Sequence, residues 1–70
     1  MKKESSFKFY VSVSYLDGTE FGFDVHIEGT ECEVVASMMM ITRRLLITLS
    51  AYKATCYKED GFELCAYCNR

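Results

Sequence analysis

Hydrophobic and polar positions change period twice along the chain. Residues 7–15 (FKFYVSVSY) and 21–27 (FGFDVHI) alternate, residues 30–52 (TECEVVASMMMITRRLLITLSAY) repeat every three to four positions, and alternation returns over 54–58 and 62–68. Period two is the mark of a half-buried strand and period 3.6 that of a helix. The pattern therefore predicts strands over about 7–15, 20–28, 54–58 and 62–68 and one helix over about 31–51. A single helix among four strands has one way to bury its apolar stripe, which is against their sheet. The expected class is α+β, ββαββ, with the helix packed on a four-stranded, mostly antiparallel sheet in one domain spanning 1–70.

The helix is the organising element. Thr30 and Glu33 have the S/T-x-x-E spacing of a capping box, in which each side chain satisfies an orphan backbone N–H. Glu31 and Glu33 lie in the first turn and Lys53 lies near the far end, as the helix macrodipole favours. At 100° per residue, Val34, Met38, Ile41, Leu45, Leu49 and Tyr52 form one stripe, flanked by Val35, Met39, Thr42 and Leu46. The opposite side is not polar throughout: Ala36, Met40 and Ile47 gather there between Arg43 and Arg44. Single exposed apolar residues are ordinary. A helix apolar on both sides, with Met on the outer one, is the pattern of a helix covered twice, by its own sheet and by a partner.

Turn chemistry narrows the hairpins. A three-residue loop at 16–18, with Gly18 in the left-handed position, sets Val13 against Phe21, Val11 against Phe23, Phe9 against Val25 and Phe7 against Ile27. A two-residue loop would mix the faces. The other face then carries Tyr10 opposite Asp24 and Lys8 opposite His26. It reads as the solvated side of an antiparallel sheet. Its functional reading is a hydrogen-bonding set of Tyr10, Asp24 and His26 around Gly22, where a ligand approaches bare backbone. In the second hairpin, a two-residue turn sets Cys56 opposite Cys65 with Tyr57, Phe62 and Leu64 inward. A three-residue turn, the preferred reading, turns Ala54, Cys56, Leu64, Ala66 and Cys68 inward and leaves Tyr57, Glu63, Cys65 and Tyr67 outside.

Composition sets limits on what these elements do. The chain has 70 residues, half of them hydrophobic, and no proline, which leaves room for one core and no linker. Ordering it opposes folding by on the order of 100 kcal/mol of conformational entropy, so disulfides, metal or oligomerisation are common supports at this size. The net charge of −2 and the scattered cations, Lys2, Lys3, Lys8, Lys53, Lys58 and Arg70, give no electrostatic footprint for nucleic acid. MKKESSF runs straight into strand pattern without a signal-peptide core, and the longest apolar run, 38–41, is far below a membrane span. A cytoplasmic protein without membrane contact is expected.

Cysteine and histidine chemistry points away from catalysis. Cys32, Cys56, Cys65 and Cys68 include a formal C-x-x-C, but they are spread over a helix start, a strand and a strand end. That spacing lacks the paired knuckles of a zinc ribbon and the helix that activates a redox C-x-x-C. Buried free thiols are expected, with a Cys56–Cys65 disulfide open only to the two-residue turn. His26 is the sole histidine and accompanies no activated nucleophile, and Gly18, Gly22, Gly29 and Gly61 form no phosphate loop. No enzyme activity, metal or cofactor is expected.

The order strand, strand, helix, strand, strand resembles the β-grasp arrangement of small immunoglobulin-binding bacterial domains. That resemblance implies strand order 2-1-4-3, with a meander 1-2-3-4 as the alternative, and says nothing of activity. The function expected is that of a small non-catalytic binding protein. It would act through Met40, Arg43, Arg44 and Ile47 on a protein partner or on another copy of itself. Small size and the missing catalytic signature also suit a phage or mobile-element inhibitor of a host protein. The alternative is a homo-oligomer that sequesters a small anionic ligand such as a nucleotide, with Arg43 and Arg44 near a symmetry axis and Tyr10 or Tyr67 stacking on it. A cysteine-based metal or redox module stands third.

Overall fold

The computed structural model describes residues 5–69; Lys2, Lys3 and Arg70 lie outside them. The elements are β1 (Ser5–Ser14), β2 (Glu20–Gly29), α1 (Glu31–Thr48), β3 (Lys53–Lys58) and β4 (Glu63–Cys68). They build an α+β fold with one helix on a four-stranded sheet, ordered β2-β1-β3-β4, whose neighbours are all antiparallel. The order differs from both 2-1-4-3 and 1-2-3-4, because β3 rather than β4 borders β1.

Chain geometry explains that choice. β2 ends beside the start of β1, with Gly29 opposite Ser5, and α1 then runs roughly 27 Å back along the sheet at 1.5 Å per residue. The chain returns at the other end of β1, where the Tyr52 N–H donates to the Ser14 carbonyl at 2.9 Å. β3 therefore starts in register with β1, Lys53 opposite Ser14, and runs antiparallel to it. A β-grasp order would pair β4 with β1 in parallel, a ladder slightly weaker per residue. Burial agrees with the observed placement. Ala54, Thr55 and Cys56 are buried in succession as a central strand requires, while β4 has no fully buried residue.

The first hairpin has the predicted register, from Ser14–Glu20 to Ser5–Gly29, closed by Gly18 at φ 93°. The second combines both predicted registers. Lys58 N–H donates to the Phe62 carbonyl and Tyr57 opposes Glu63, as a Glu59-Asp60-Gly61 turn demands. A β-bulge between Cys56 and Tyr57 then shifts the pairing by one, so Cys56 opposes Cys65 and Ala54 opposes Tyr67. The bulge corrects the preferred facing of β4: Cys65 and Tyr67 share the face of Cys56 and Ala54, and Ala66 and Cys68 lie on the other.

α1 ends at Thr48, before residue 51, because Ser50 turns into the left-handed region at φ 53°. Ser50 N–H donates to the Ile47 carbonyl and Ala51 N–H to the Leu46 carbonyl, a Schellman motif with serine where glycine is usual. Tyr52 is thus off the helix, and its backbone bridges Ser14 and Asn69. At the other end the capping-box residues meet side chain to side chain rather than through the backbone N–H groups expected of them. The Thr30 hydroxyl donates to the Glu33 carboxylate at 2.5 Å, and its oxygen accepts no backbone N–H at the helix start.

Phe9, Val11, Val13, Ala54 and Cys56 meet Val34, Met38 and Leu46 in the core. The buried helix line runs Val34, Met38, Thr42, Leu46, so the stripe is rotated toward Thr42, with Ile41, Leu45 and Leu49 half-buried on its shoulder. Buried Thr42 is tolerated because its hydroxyl donates to the Met38 carbonyl at 2.7 Å.

Candidate functional site

The outer surface of α1 keeps its apolar residues in solvent. Met40 is 61 % and Ile47 66 % exposed, and Arg43 and Arg44 are exposed on either side of them. Around the Met40–Arg44 edge the surface dips into a shallow apolar depression lined by Met40, Ile41, Arg44, Leu45 and Thr48. Arg43 points the other way, close enough to the Tyr67 hydroxyl on β4 for its charge to be felt there. The flank with Ile41 and Leu45 therefore looks toward β2, over which the helix packs least. Sequence periodicity located the crown of this surface. It placed Ile41 and Leu45 wholly in the core, although both are only half-buried and line the depression.

The three residues predicted around Gly22 share one face, but Tyr67, predicted to stack on a ligand, is not brought to them. Tyr10, Asp24 and His26 share the outer face of the β1–β2 hairpin, whereas Tyr67 lies on the helix side of the sheet. The bare backbone at Gly22 is already covered. A β-carbon there would meet the Tyr10 hydroxyl oxygen at 1.9 Å, so the ring lies across the glycine and fills the space expected for a ligand. Tyr10 also faces Tyr57 on β3, ring centres 6.5 Å apart, and the row Asp24, Tyr10, Tyr57, Glu63 crosses all four strands. Tyr57 was not identified from sequence, because its place beside Tyr10 depends on β3 adjoining β1. His26 shares a hydrogen bond with Ser6.

Arg43 and Arg44 are on the helix, Tyr10 on the far side of the sheet and Tyr67 between the two layers. The groups proposed for an anionic ligand thus occupy three separate surfaces of one chain. A second cleft, where β1 extends past β3, brings Lys8 and Lys58 beside Glu31, Glu59 and Asp60. Its charges nearly cancel, with acid in slight excess, and it has no preference for an anion.

The cysteines divide by burial: Cys32 and Cys68 are exposed, Cys65 is half-buried, Cys56 is buried, and all four are free. The expectation of buried thiols holds for Cys56 alone. Cys56 and Cys65 oppose each other across β3–β4, and the Thr42 hydroxyl reaches the Cys56 thiol from above. Burial pushes the Cys56 thiol from 9.0 up to about 11; Thr42 opposes that rise and Cys65 adds to it. Such a thiol is protonated and inert at neutral pH. The Tyr67 hydroxyl is also raised, first by desolvation and then by Cys65, with Arg43 acting against both. Among the described residues no group of three or more His, Cys, Asp or Glu is placed to hold a metal. Among them, too, no helix is long and apolar enough to cross a membrane. No protein-family model matches the chain, and neither a curated protein nor a solved structure matches it.

Proposed function

We propose that the protein is a non-catalytic binding module whose outer helix face captures a protein partner in the cytoplasm. The observation that carries this reading is the exposure of Met40 and Ile47, 61 % and 66 %, on a surface the fold does not need. Met40 lines an apolar depression together with Ile41, Arg44, Leu45 and Thr48, and Met is suited to adaptable contacts. Arg43 and Arg44 border the patch as planar donors for carboxylates, so the partner it fits presents an apolar segment with an acidic rim. Four free thiols accord with a reducing compartment. Occlusion of the partner's own surface is the simplest activity for such a module, which makes inhibition of a host protein its natural role.

A photo-crosslinking residue placed at 40 or 47, with one at exposed Leu16 as control, tests this in cells. Position 40 or 47 should yield one discrete product that untagged protein competes away, and the purified partner should bind wild type but not Met40→Glu with Ile47→Glu. Because both side chains are about two-thirds exposed, that double variant should keep its stability within about 0.5 kcal/mol. Crosslinks that are absent, or equal at position 16, would sink the reading.

A further inference from the structure

The two edges of the sheet are unequal. β4 is an edge of 6 residues interrupted by a bulge, and short or bulged strands resist pairing with another chain. β2 is an edge of 10 residues whose pairing with β1 is unbroken, and it contains no proline, lysine or bulge. Its free hydrogen-bonding groups can be identified from the hairpin. Tyr15 N–H donates to the Thr19 carbonyl at 2.8 Å, so bonded and non-bonded pairs alternate from there. Phe21, Phe23, Val25 and Ile27 thus direct their backbone groups at β1, and Gly22, Asp24, His26 and Glu28 direct theirs outward.

The side chains of β2 are also incompletely covered. On the helix face, Phe21 is 43 % exposed, and its ring stacks between Tyr15 and Phe23 with centres 6.1 Å from each. On the other face the ionisable side chains are Glu20, Asp24, His26 and Glu28, in that order. These charges select among the ways two β2 strands can pair about a two-fold axis normal to the sheet, the arrangement that keeps each side chain on its own face. Centring the pair on Asp24 sets Asp24 against Asp24 and Glu20 against Glu28, a repulsive register throughout. Centring it on Val25 sets Asp24 against His26 twice, Gly22 against Glu28, and Phe23 against Ile27 on the apolar side; centring on Phe23 or Ile27 also opposes His26 to a carboxylate, Glu20 or Glu28, but leaves more of β2 unpaired.

We propose that β2 pairs antiparallel with β2 of a second copy, centred on Val25, so that His26 of each chain opposes Asp24 of the other and the sheet becomes continuous across the dimer. The occupant is a second copy because the edge complements its own charge sequence. His26 is the one basic position among three carboxylates, and it lies where self-pairing meets an acid. This inference goes beyond the helix-face reading and uses none of its residues.

Sedimentation velocity at high micromolar concentration tests it, with circular dichroism as the check on folding. Wild type should be a dimer. Asp24→Pro should be a folded monomer, because the N–H it removes points away from β1. His26→Glu should raise the dimer Kd roughly tenfold by placing like charges opposite one another twice, and adding Asp24→Lys should restore the affinity. A monomeric wild type overturns the proposal. So does restoration by Glu20→Lys instead of Asp24→Lys, which would mean a register centred on Phe23. A dimer that survives Asp24→Pro and is lost in Met40→Glu with Ile47→Glu would also refute it while supporting the helix face as the contact.

Discussion

Replacing Cys56 should change how stability depends on alkaline pH far more than it changes stability at neutral pH. The thiol is fully buried beneath the helix, and its burial moves the pKa from 9.0 up to about 11. The unfolded chain ionises this group near 9, while the folded chain still holds the proton. Stability from the shift is therefore fully present below about pH 9 and is lost as pH rises toward the folded value of about 11. Two units correspond to about 2.7 kcal/mol when the loss is complete, and the part lost between pH 8 and pH 10 is about 1.3 kcal/mol. A domain of this length has on the order of 4–10 kcal/mol in total, so the effect is measurable.

Urea unfolding under a phosphine reductant at the two pH values, in wild type and Cys56→Ala, is the assay. The Ala variant starts lower by a cavity contribution of about 1 kcal/mol, but that offset is the same at both pH values and drops out. The raised Tyr67 hydroxyl is present in both proteins and also cancels. The expected result is that wild type loses about 1.3 kcal/mol more than Cys56→Ala between pH 8 and pH 10. Equal losses would refute the claim that Cys56 is held protonated by burial. Thiol labelling in the native state gives a parallel check, with Cys32 and Cys68 reacting first and Cys56 only on opening.

Two further substitutions probe the helix. Met38→Ala removes a fully buried side chain at the centre of the helix–sheet contact and should lower stability by about 3 kcal/mol, read as a fall of about 3 M in the urea midpoint. Ser50→Gly should raise stability by about 0.5–1 kcal/mol by relieving the left-handed backbone at φ 53°, with the thermal midpoint as readout. No gain there would mean that the serine side chain contributes a contact that offsets its strain.

The elements and the first hairpin were legible because each depends on neighbours in sequence. Alternation, the Gly18 turn and the demand that apolar residues oppose one another leave a single register for β1 and β2. Strand order was not legible, because either strand of the second hairpin could lie beside β1 by pattern alone. The deciding facts are the site where the helix delivers the chain and the successive burial of Ala54, Thr55 and Cys56. The bulge was hidden for a related reason. The turn favours one register and the Cys56–Cys65 pairing another, and nothing in the alternation shows that one chain adopts both. This misplaced Tyr67, and with it one member of the expected ligand set. Gly22 misled differently: a glycine among polar residues suggests open backbone, but the Tyr10 ring reaches it diagonally from the next strand. Exposure of Met40 and Ile47 followed directly from helical angle, which is why that part of the surface was legible.

The rotation of the helix stripe links folding to the surface that is left over. Pure apolar periodicity would put Ile41 and Leu45 at the centre of the helix–sheet contact. Thr42 takes the centre instead, its hydroxyl satisfied by the Met38 carbonyl and in reach of the Cys56 thiol, and the helix packs mainly on β3 and β4. A threonine is admitted to the core at little disadvantage because it brings its own acceptor. The consequence appears on the other side. Ile41 and Leu45 become a half-buried shoulder beside exposed Met40, and Phe21 and Phe23 remain a partly covered edge on β2. Together these residues leave apolar surface in solvent. Any partner that covers it adds to folding stability by mass action. The displacement of one helix toward β3 and β4 thus accounts for both the compactness of the core at Cys56 and the exposure at β2.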